Sequence, residues 1–227
     1  MSKNIVITGT SRGIGFELAQ LLAGAGHHVI TLSRKTSSIE ALERNSIMSL
    51  SCDLTSEESI TESAKAILAK WDHIDILIHN AGMLVNKPFE ELTPLDFQNC
   101  YAVNVFGVVS LTQKLLPVMT KDSHVVAISS MGGIQGSAKF PGLAAYSSAK
   151  AAVITLFELL AEEYKENGPS FNTLALGAVQ TEMLEEAFPG YKAPLTAPEM
   201  ADYIMNFALT GNKFYNGKVM QVSASTP

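Results

Sequence analysis

The sequence predicts an α/β fold: one domain built on a doubly wound, mostly parallel seven-stranded sheet with helices on both faces. Three observations support this prediction. Short runs rich in β-branched residues alternate with longer amphipathic segments, as strands and crossover helices do in a parallel sheet. Most of the short runs are almost continuously apolar, which parallel strands buried on both faces require. No linker, internal repeat or low-complexity segment divides the chain, so we expect a single domain over residues 1–227.

Seven runs have the length and composition of buried strands. They are short, rich in Val, Ile and Leu, and separated by turn residues or helical patterns. In chain order they are residues 4–8, 28–32, 47–51, 74–78, 124–129, 171–176 and 218–222.

The helical patterns between these runs carry recognisable end signals. The first helix is predicted over residues 13–25, with Gly26 as its C-cap. The second runs from its N-cap, Ser56, to about Lys70. Each lies between two strand candidates, as a crossover helix must.

Prolines mark three further helices. Thr93 and Pro94 begin a helix that is expected to run to Leu116, where the next residue is again a proline. A long helix is expected from Leu143 to the Asn-Gly-Pro sequence at 167–169, and a last one begins with Pro198 in its first turn.

The composition excludes several classes of protein. Hydrophobic residues make up 47% of the chain and charged residues 17%, which suits a packed globular core. The net charge of −6 argues against binding to nucleic acid or to anionic membranes. Cys52 and Cys100 lack metal-ligand spacing and are expected to be reduced, with no metal site. No leader and no apolar stretch of ~18 residues is visible, so a cytoplasmic protein is expected.

A glycine-rich loop follows the first strand directly. In TGTSRGIG, residues 8–15, Gly9 permits the tight exit from the strand, Gly13 lets the backbone approach a pyrophosphate, and Gly15 allows the helix to pack on the sheet. The N-terminus of the first helix then offers free N–H groups to the anion. An ordinary turn could also contain three glycines, but the placement between strand and helix favours dinucleotide binding.

Tyr146 and Lys150, in YSSAK, project from one face of the long fourth helix, because residues four apart are neighbours on a helix surface. Such a pair can also arise by chance on a solvated face. With its context, the pair indicates a proton donor and a charged partner.

Taken together, these motifs resemble the short-chain dehydrogenases/reductases along almost the whole chain. The family's glycine motif is spaced Gly-x-x-x-Gly-x-Gly, as here. The other motifs that carry the resemblance are CDL (52–54), HNAG (79–82), NVFG (104–107), SSMGG (129–133), YSSAK (146–150) and LGAVQTEM (176–183).

The resemblance implies a Rossmann fold and a set of site residues. Ser130 would hold the substrate oxygen, although Ser129 beside it could compete, and Asn104 would hold a water that links Lys150 to solvent. The implied catalytic residues are Asn104, Ser130, Tyr146 and Lys150. The implied cofactor-binding residues are Gly9, Thr10, Ser11, Arg12, Gly13, Ile14, Gly15, Ser33, Arg34, Asp53, Leu54, Asn80, Ala81, Gly82, Tyr146, Lys150, Gly177, Val179 and Thr181.

The chain also departs from the family pattern. His79 replaces the first Asn of the Asn-Asn-Ala-Gly turn and is interpreted as a structural histidine. Leu176 replaces a proline. The substrate lid is short, at about 182–196, which suggests an open pocket. Ile134, Phe140 and Leu143 could line that pocket or could simply pack the loop.

The proposed chemistry requires an activated tyrosine. Tyrosine has an unperturbed pKa of about 10, and bringing it near 7 takes about 4 kcal/mol. A lysine charge ~4 Å away supplies about that much at an effective dielectric of ~20. We therefore expect Lys150 and an oxidised nicotinamide to lower the pKa of Tyr146.

The cofactor is expected to be NADP in preference to NAD. No acidic residue stands between Thr31 and Ser38, so nothing in this segment would repel a 2′-phosphate. Ser33 takes the place of the acid, and Arg34 and Arg12 could bind the phosphate from two sides, unless both are merely solvated.

The leading functional hypothesis is an oxidoreductase acting on a small, rather apolar carbonyl or alcohol. The alternatives are a non-catalytic redox sensor that binds the dinucleotide, and a reductase of carrier-linked 3-oxoacyl groups, for which the sequence shows no clear basic docking patch. The third and fourth helices are apolar on more than one face, which predicts a homodimer or homotetramer.

Overall fold

The computed structural model describes residues 1–223; residues 224–227 of the expected domain lie outside the described part. Seven parallel strands form the main sheet, in the order β3-β2-β1-β4-β5-β6-β9. The strands of this sheet are β1 (Asn4–Thr8), β2 (His28–Ser33), β3 (Ile47–Ser51), β4 (Ile76–His79), β5 (His124–Ser130), β6 (Ser170–Leu176) and β9 (Val219–Val222). The predicted doubly wound α/β fold is confirmed.

Eight α-helices connect the strands. They are α1 (Gly13–Gly24), α2 (Ser37–Glu40), α3 (Glu57–Lys70), α4 (Pro94–Tyr101), α5 (Gly107–Leu115), α6 (Ala144–Glu163), α7 (Glu182–Ala187) and α8 (Ala197–Thr210). Two short strands, β7 (Val179–Gln180) and β8 (Leu195–Thr196), pair in parallel at the ends of the lid region. The sequence analysis did not anticipate α2, α7 or this strand pair, because each is only two to six residues long.

Strand periodicity divides the core between the two faces of the sheet. On β1, Ile5 and Ile7 face a cluster formed with α1 and α8, whereas Val6 faces a cluster formed with α3, α5 and α6. All three side chains are fully buried. This burial on both faces explains why the strands are apolar at every position.

The two predicted N-caps are present, whereas α1 ends one residue early, with Ala25 in place of Gly26 as its C-cap. Ser56 accepts a hydrogen bond from the Ser59 backbone N–H, at 3.2 Å. Thr93 and Asp96 form a reciprocal capping box, and Pro94 occupies the first turn of α4. These contacts satisfy backbone donors that a helix start leaves free.

The third predicted helix is not continuous. A π-helical turn, Ala102–Phe106, separates α4 from α5. Such turns carry one extra residue, often at functional sites. Gly107 follows the turn and lets α5 approach the loop after β3, because a Cβ at this position would lie 2.7 Å from the Leu54 carbonyl oxygen.

Helix α6 corrects the expectation that no apolar stretch is long enough for a membrane span. By length and composition alone its 20 residues could cross a bilayer. In the structure it packs against β5 and β6, and it buries Ala149, Val153 and Phe157. A core helix of this kind passes the same test.

Candidate active site

The predicted site residues meet at the carboxyl edge of the main sheet. In parallel sheets this edge collects the loops that follow each strand, and ligands bind where the strand order reverses, here between β1 and β4. The segments that reach the edge begin at Gly9 after β1, Ser33 at the end of β2, Asp53 after β3, Asn80 after β4, Ser130 at the end of β5 and Gly177 after β6.

Close backbone packing explains two glycines of the loop after β1. Gly9 has a φ of +74°, and a Cβ there would lie 2.6 Å from the Ala81 Cα. A Cβ on Gly15 would lie 2.2 Å from the Gly9 carbonyl oxygen. Neither position accepts a larger residue without moving main chain, so the loop is fixed by its glycines.

The loop after β4 is bonded directly to the glycine loop. The Asn80 side-chain amide donates to the carbonyls of Thr8, at 3.1 Å, and Gly9, at 2.9 Å. The Ala81 N–H donates to the Thr8 hydroxyl at 3.1 Å. Asn80 thus holds the two loops in one arrangement.

Several features of the glycine loop fit a dinucleotide phosphate. No side chain caps the N-terminus of α1, where Arg12 is the N-cap residue, so the first N–H groups face outward. Thr10 is fully buried, and its hydroxyl has no hydrogen-bond partner among residues 1–223. Gly13 faces the Thr181 side chain, which would lie 3.5 Å from a Cβ on Gly13. These groups could hold a pyrophosphate between them.

The remaining residues of the loop support this arrangement. The Ser38 hydroxyl donates to the Ser11 carbonyl at 2.7 Å and ties α2 to the loop. Ile14 packs against the core cluster under α1 and α8, which also includes Val179. The Gly177 N–H donates to the Val222 carbonyl at 2.9 Å, which fixes the chain after β6.

The end of the site that would hold the adenosine lies beside β2 and β3. The buried Ser33 hydroxyl donates to the Lys35 carbonyl at 2.7 Å, and Arg34 is exposed. The Asp53 carboxylate accepts from the Thr55 N–H, at 2.9 Å, and hydroxyl, at 2.8 Å. Thr55 and the charge of Arg34 lower the pKa of Asp53, which keeps it ionised.

The structure does not leave Arg12 free for a phosphate. Its guanidinium forms a bidentate ion pair with Glu186 of α7, in which the Nη2–Oε2 distance is 2.9 Å. Glu182 also lies close enough to raise the Arg12 pKa, after the larger effect of Glu186. The segment from Thr31 to Ser38 contains no competing acid, as predicted, but an acid from the lid takes the place of the phosphate.

Tyr146 and Lys150 lie on the first two turns of α6 and share a face, as predicted. The Lys150 Nζ donates to the Ile128 carbonyl at 2.8 Å and lies 5.7 Å from the centre of the Tyr146 ring. Lys150 is 4% exposed. Burial lowers the pKa of Lys150 to about 8, while the Cys100 thiol acts weakly in the opposite direction.

The protein groups alone do not activate Tyr146. Burial raises its pKa to about 12, and a hydrogen bond with Ser130 lowers it only in part. The expected lowering by Lys150 is therefore wrong for the protein without cofactor. At neutral pH Tyr146 therefore keeps its proton in the protein without cofactor.

The structure separates Ser130 from Ser129. The Ser129 hydroxyl is buried and donates to the Lys150 carbonyl at 2.8 Å. Ser130 is partly exposed and accepts from the Gly132 N–H at 3.2 Å, and its hydroxyl lies close enough to Tyr146 to lower the pKa of the phenol. The geometry thus brings Ser130, not Ser129, to the tyrosine hydroxyl.

Asn104 lies in the π-helical turn and is 1% exposed. Its amide donates to the carbonyls of Met83 and Cys100, both at 2.8 Å, and its Oδ1 accepts from the Met83 N–H at 3.3 Å. A Cβ on Gly82 would lie 3.3 Å from this Oδ1 and 3.5 Å from the Lys150 Nζ. Asn104 therefore borders the lysine, but its side chain is used to hold the loop after β4.

Sequence reasoning missed two neighbours of the site. Cys100 is buried close enough to Tyr146 and Lys150 to affect the pKa of both. The Ile128 carbonyl, which holds Lys150, is a backbone group that no motif can reveal. For Cys100, the only available signal was its place one helical turn before Asn104.

His79 behaves largely as the structural histidine that was expected. It is buried, its Nε2 lies 2.9 Å from the Thr112 hydroxyl, and Phe157 packs edge-on against its ring. Thr112 commits its own proton to the Val108 carbonyl, so the Nε2 of His79 must be the donor. Burial lowers the pKa of His79 to about 3, and Nδ1 has no partner among the described residues.

The short lid is helical and is held from below. Thr181 caps α7 by accepting from the Leu184 N–H at 3.3 Å, and Asn86 donates to the Ala187 carbonyl at 2.8 Å. A cleft beneath it is lined by Leu84, Asn86, Met183, Glu186 and Ala187. Of the three loop residues considered for the pocket, Leu143 is buried, Ile134 is partly buried and Phe140 is half-exposed.

Known proteins share both the sequence and the fold. The family described as short chain dehydrogenase matches residues 3–192. A fatty acyl-CoA reductase from Acinetobacter baylyi is 31% identical over 91% of this chain and 72% of its own length. A 3-oxoacyl-[acyl-carrier-protein] reductase from Aquifex aeolicus is 30% identical over 96% of this chain and 94% of its own length.

Solved structures agree with the sequence relatives. A short-chain dehydrogenase from Shigella flexneri in complex with NADP matches with a TM-score of 0.87 and 27% identity, over 96% of each chain. The family match covers most of this chain, and the glycine loop and the tyrosine–lysine pair lie together at the carboxyl edge of the sheet. The chain belongs to the short-chain dehydrogenase/reductase family of oxidoreductases.

Proposed function

We propose that the protein is an NADP(H)-dependent oxidoreductase that reduces a small, rather apolar carbonyl compound or oxidises the corresponding alcohol. One observation carries the proposal. Ser130, Tyr146 and Lys150 converge at the carboxyl edge of the sheet, next to a loop that fits a dinucleotide phosphate.

Each of the three side chains has a definite task in this reaction. A bound nicotinamide supplies or accepts the hydride. The Ser130 hydroxyl holds the substrate oxygen beside Tyr146, and Tyr146 donates the proton that the oxygen gains during reduction. The Lys150 ammonium places a positive charge near that oxygen and supports the negative charge that develops there.

The state of Tyr146 without cofactor suits proton donation. Burial raises its pKa to about 12, so the protonated form dominates at physiological pH. Alcohol oxidation needs the deprotonated form, and the positive charge of an oxidised nicotinamide would favour that form. The same tyrosine can therefore serve both directions of the reaction.

The cleft under the lid has both apolar and polar walls. Leu84, Met183 and Ala187 line it, with Asn86 and Glu186 as the polar members. Relatives named as reductases of fatty acyl and 3-oxoacyl groups are consistent with an apolar chain in this place.

NADP(H) is the preferred cofactor because nothing at the end of β2 repels a 2′-phosphate. Ser33 stands where an acid would exclude it, and the exposed Arg34 can bind it. The related Shigella flexneri structure was solved with NADP bound. This support does not include Arg12, which Glu186 engages.

Steady-state kinetics with aldehydes, ketones and alcohols and with both cofactors test the proposal. We expect reduction of apolar carbonyls with a higher kcat/KM for NADPH than for NADH. Equal values or a preference for NADH contradict the cofactor assignment. Measurable cofactor binding without turnover of any carbonyl would instead favour a redox sensor, although sensors on this fold have little use for an intact tyrosine–lysine pair.

A second candidate is the reduction of carrier-linked 3-oxoacyl groups, favoured by the full-length similarity to the Aquifex aeolicus enzyme. A small thioester such as acetoacetyl-N-acetylcysteamine and the same acyl group on a carrier protein separate the two candidates. A much higher kcat/KM for the carrier-linked group supports the second. Similar values for the two thioesters support the first.

We also propose that the protein is a homodimer or homotetramer. Leu95 on α4, Phe106 in the π-helical turn and Leu159 on α6 are 60%, 60% and 64% exposed. Large apolar side chains on neighbouring helices favour burial in a two-fold interface. A monomeric mass by light scattering at micromolar concentration contradicts this proposal.

A further inference from the structure

The ion pair between Arg12 and Glu186 joins two parts of the site that are 174 residues apart in sequence. Both guanidinium nitrogens Nη1 and Nη2 bond to the carboxylate, one to each oxygen. The two side chains remain 47% and 62% exposed. The contact therefore occupies the Nη1–Nη2 edge of the guanidinium, while both groups stay open to solvent and to a ligand.

The main chain on both sides of this pair is firmly placed. Arg12 is the N-cap residue of α1. It lies between Ser11, whose carbonyl is bonded to Ser38, and Gly13, which packs against α7. Glu186 lies on α7, which is capped by Thr181 and bonded through the Ala187 carbonyl to Asn86. A Cβ on Gly13 would lie only 3.4 Å from Glu182, so α7 rests directly on the glycine loop. Glu186 is thus delivered to Arg12 by the fold.

Carboxylate and phosphate compete for the same group. A guanidinium binds either anion through the same two parallel N–H donors, so a single arginine edge cannot serve both. The Ser11 carbonyl, next to Arg12, is bonded to Ser38, four residues beyond Arg34, so Arg12 lies close to the end of β2 where the 2′-phosphate would bind. A 2′-phosphate at that place competes with Glu186 for the Nη1–Nη2 edge of Arg12.

We propose that Glu186 is a specificity-determining residue, which weakens NADP(H) binding by holding Arg12 and leaves NAD(H) binding unaffected. The inference rests on the proposed nicotinamide site at this edge. It adds a residue of the lid, outside the glycine loop and outside β2, to the set that selects the cofactor. By thermodynamic linkage, the 2′-phosphate also loosens the attachment of α7.

The test is the dissociation constant of NADPH and of NADH, measured by nucleotide fluorescence at low ionic strength for wild type, Glu186→Gln and Glu186→Ala. Both variants are expected to bind NADPH about two- to fivefold more tightly, as the loss of an exposed competing pair implies, with NADH unchanged. The gain should shrink in 0.5 M NaCl, because exposed charges are screened.

Two further variants make the result specific. Glu185→Gln removes the same charge from the same helix and can keep its contact with the Gly190 N–H, 2.9 Å away, so it should change neither constant. In an Arg12→Ala background, Glu186→Gln should have no effect on NADPH binding, because the pair no longer exists. Unchanged thermal unfolding of the single variants shows that they are folded.

The outcomes separate this inference from the cofactor assignment. The role of Glu186 is refuted if Glu186→Gln leaves the dissociation constant of NADPH unchanged or lowers the constants of NADPH and NADH equally. It is also refuted if Glu185→Gln has the same effect as Glu186→Gln. Each of these results refutes the role even if the enzyme prefers NADPH. If wild type prefers NADH but Glu186→Gln still tightens NADPH alone, the inference stands and the cofactor assignment falls.

Discussion

The catalytic end and the adenosine end of the cleft are constructed differently. At the catalytic end, buried side chains are held by main-chain carbonyls: Lys150 by Ile128, and Asn104 by Met83 and Cys100. At the other end, Arg34 is exposed, and Arg12 is bonded to a side chain of the lid. Backbone partners cannot exchange, whereas exposed ion pairs can.

This difference indicates which end of the cleft tolerates substitutions. Moving a buried ammonium away from its carbonyl leaves an unsatisfied polar group, so the catalytic geometry is costly to change. Exposed pairs contribute little to stability and respond to salt and ligands. We therefore expect large effects from substitutions at the catalytic end and graded effects at the cofactor-selecting end.

The largest effect is expected from Tyr146→Phe. The ring and its packing are kept, and only the proton donor is lost. The kcat of carbonyl reduction should fall about a hundredfold to ten-thousandfold, with the NADPH dissociation constant nearly unchanged. A variant that keeps more than about a tenth of the wild-type rate shows that another group donates the proton.

The two adjacent serines offer a matched pair. Ser130→Ala should lower kcat/KM about a hundredfold, because its hydroxyl lies beside Tyr146 and would hold the substrate oxygen. Ser129→Ala should leave kcat/KM within about threefold and instead cost about 1 kcal/mol of unfolding free energy, by losing its buried bond to the Lys150 carbonyl. Urea unfolding and steady-state kinetics of both variants measure the two effects, and the reverse assignment would exchange the roles of the serines.

The pH dependence of reduction tests the buried charge. Burial lowers the pKa of Lys150 to about 8, so rising pH removes its charge while Tyr146, with a pKa of about 12, keeps its proton. The kcat/KM should be constant from pH 6.5 to about 7.5 and should fall up to tenfold per pH unit above 8. A plateau that extends beyond pH 9.5, with circular dichroism unchanged, contradicts a required ammonium of lowered pKa.

Local patterns predicted most of the fold. The strands were found to within about two residues at each end, because buried parallel strands are apolar at every position. The N-caps of α3 and α4 came from single polar side chains. The break in the third helix was missed, since the π-helical turn at Ala102–Phe106 follows from tertiary contacts of Asn104 and Gly107 and not from any residue that disrupts a helix.

The candidate site was predictable where its residues form short motifs. The glycine loop and the tyrosine–lysine pair each lie within a short stretch of sequence, and the spacing of their residues predicts how they are arranged in space. The engagement of Arg12 by Glu186 was not predictable, because the two residues meet only through the placement of α7 on the glycine loop. The pKa of Tyr146 was also misjudged, since a sequence gives the neighbouring charge but not the desolvation that outweighs it.

The smallest of these effects is expected at the adenosine end, from Arg34→Ala. Arg34 is exposed and follows the buried Ser33, so its removal should not disturb the fold. If it binds the 2′-phosphate, the kcat/KM for NADPH should fall about tenfold, because a charge-assisted bond is lost, while the value for NADH stays the same.

Lys35→Ala supplies the control, since the neighbouring lysine is also exposed and carries the same charge. If only the general positive potential matters, both variants should bind NADPH more weakly to a similar extent, and the effect should fade in high salt. A specific contact would appear only for Arg34. If Arg34→Ala changes NADPH and NADH alike, Arg34 has no part in selecting the cofactor, and selection at this end falls to the competition between Glu186 and the 2′-phosphate for Arg12.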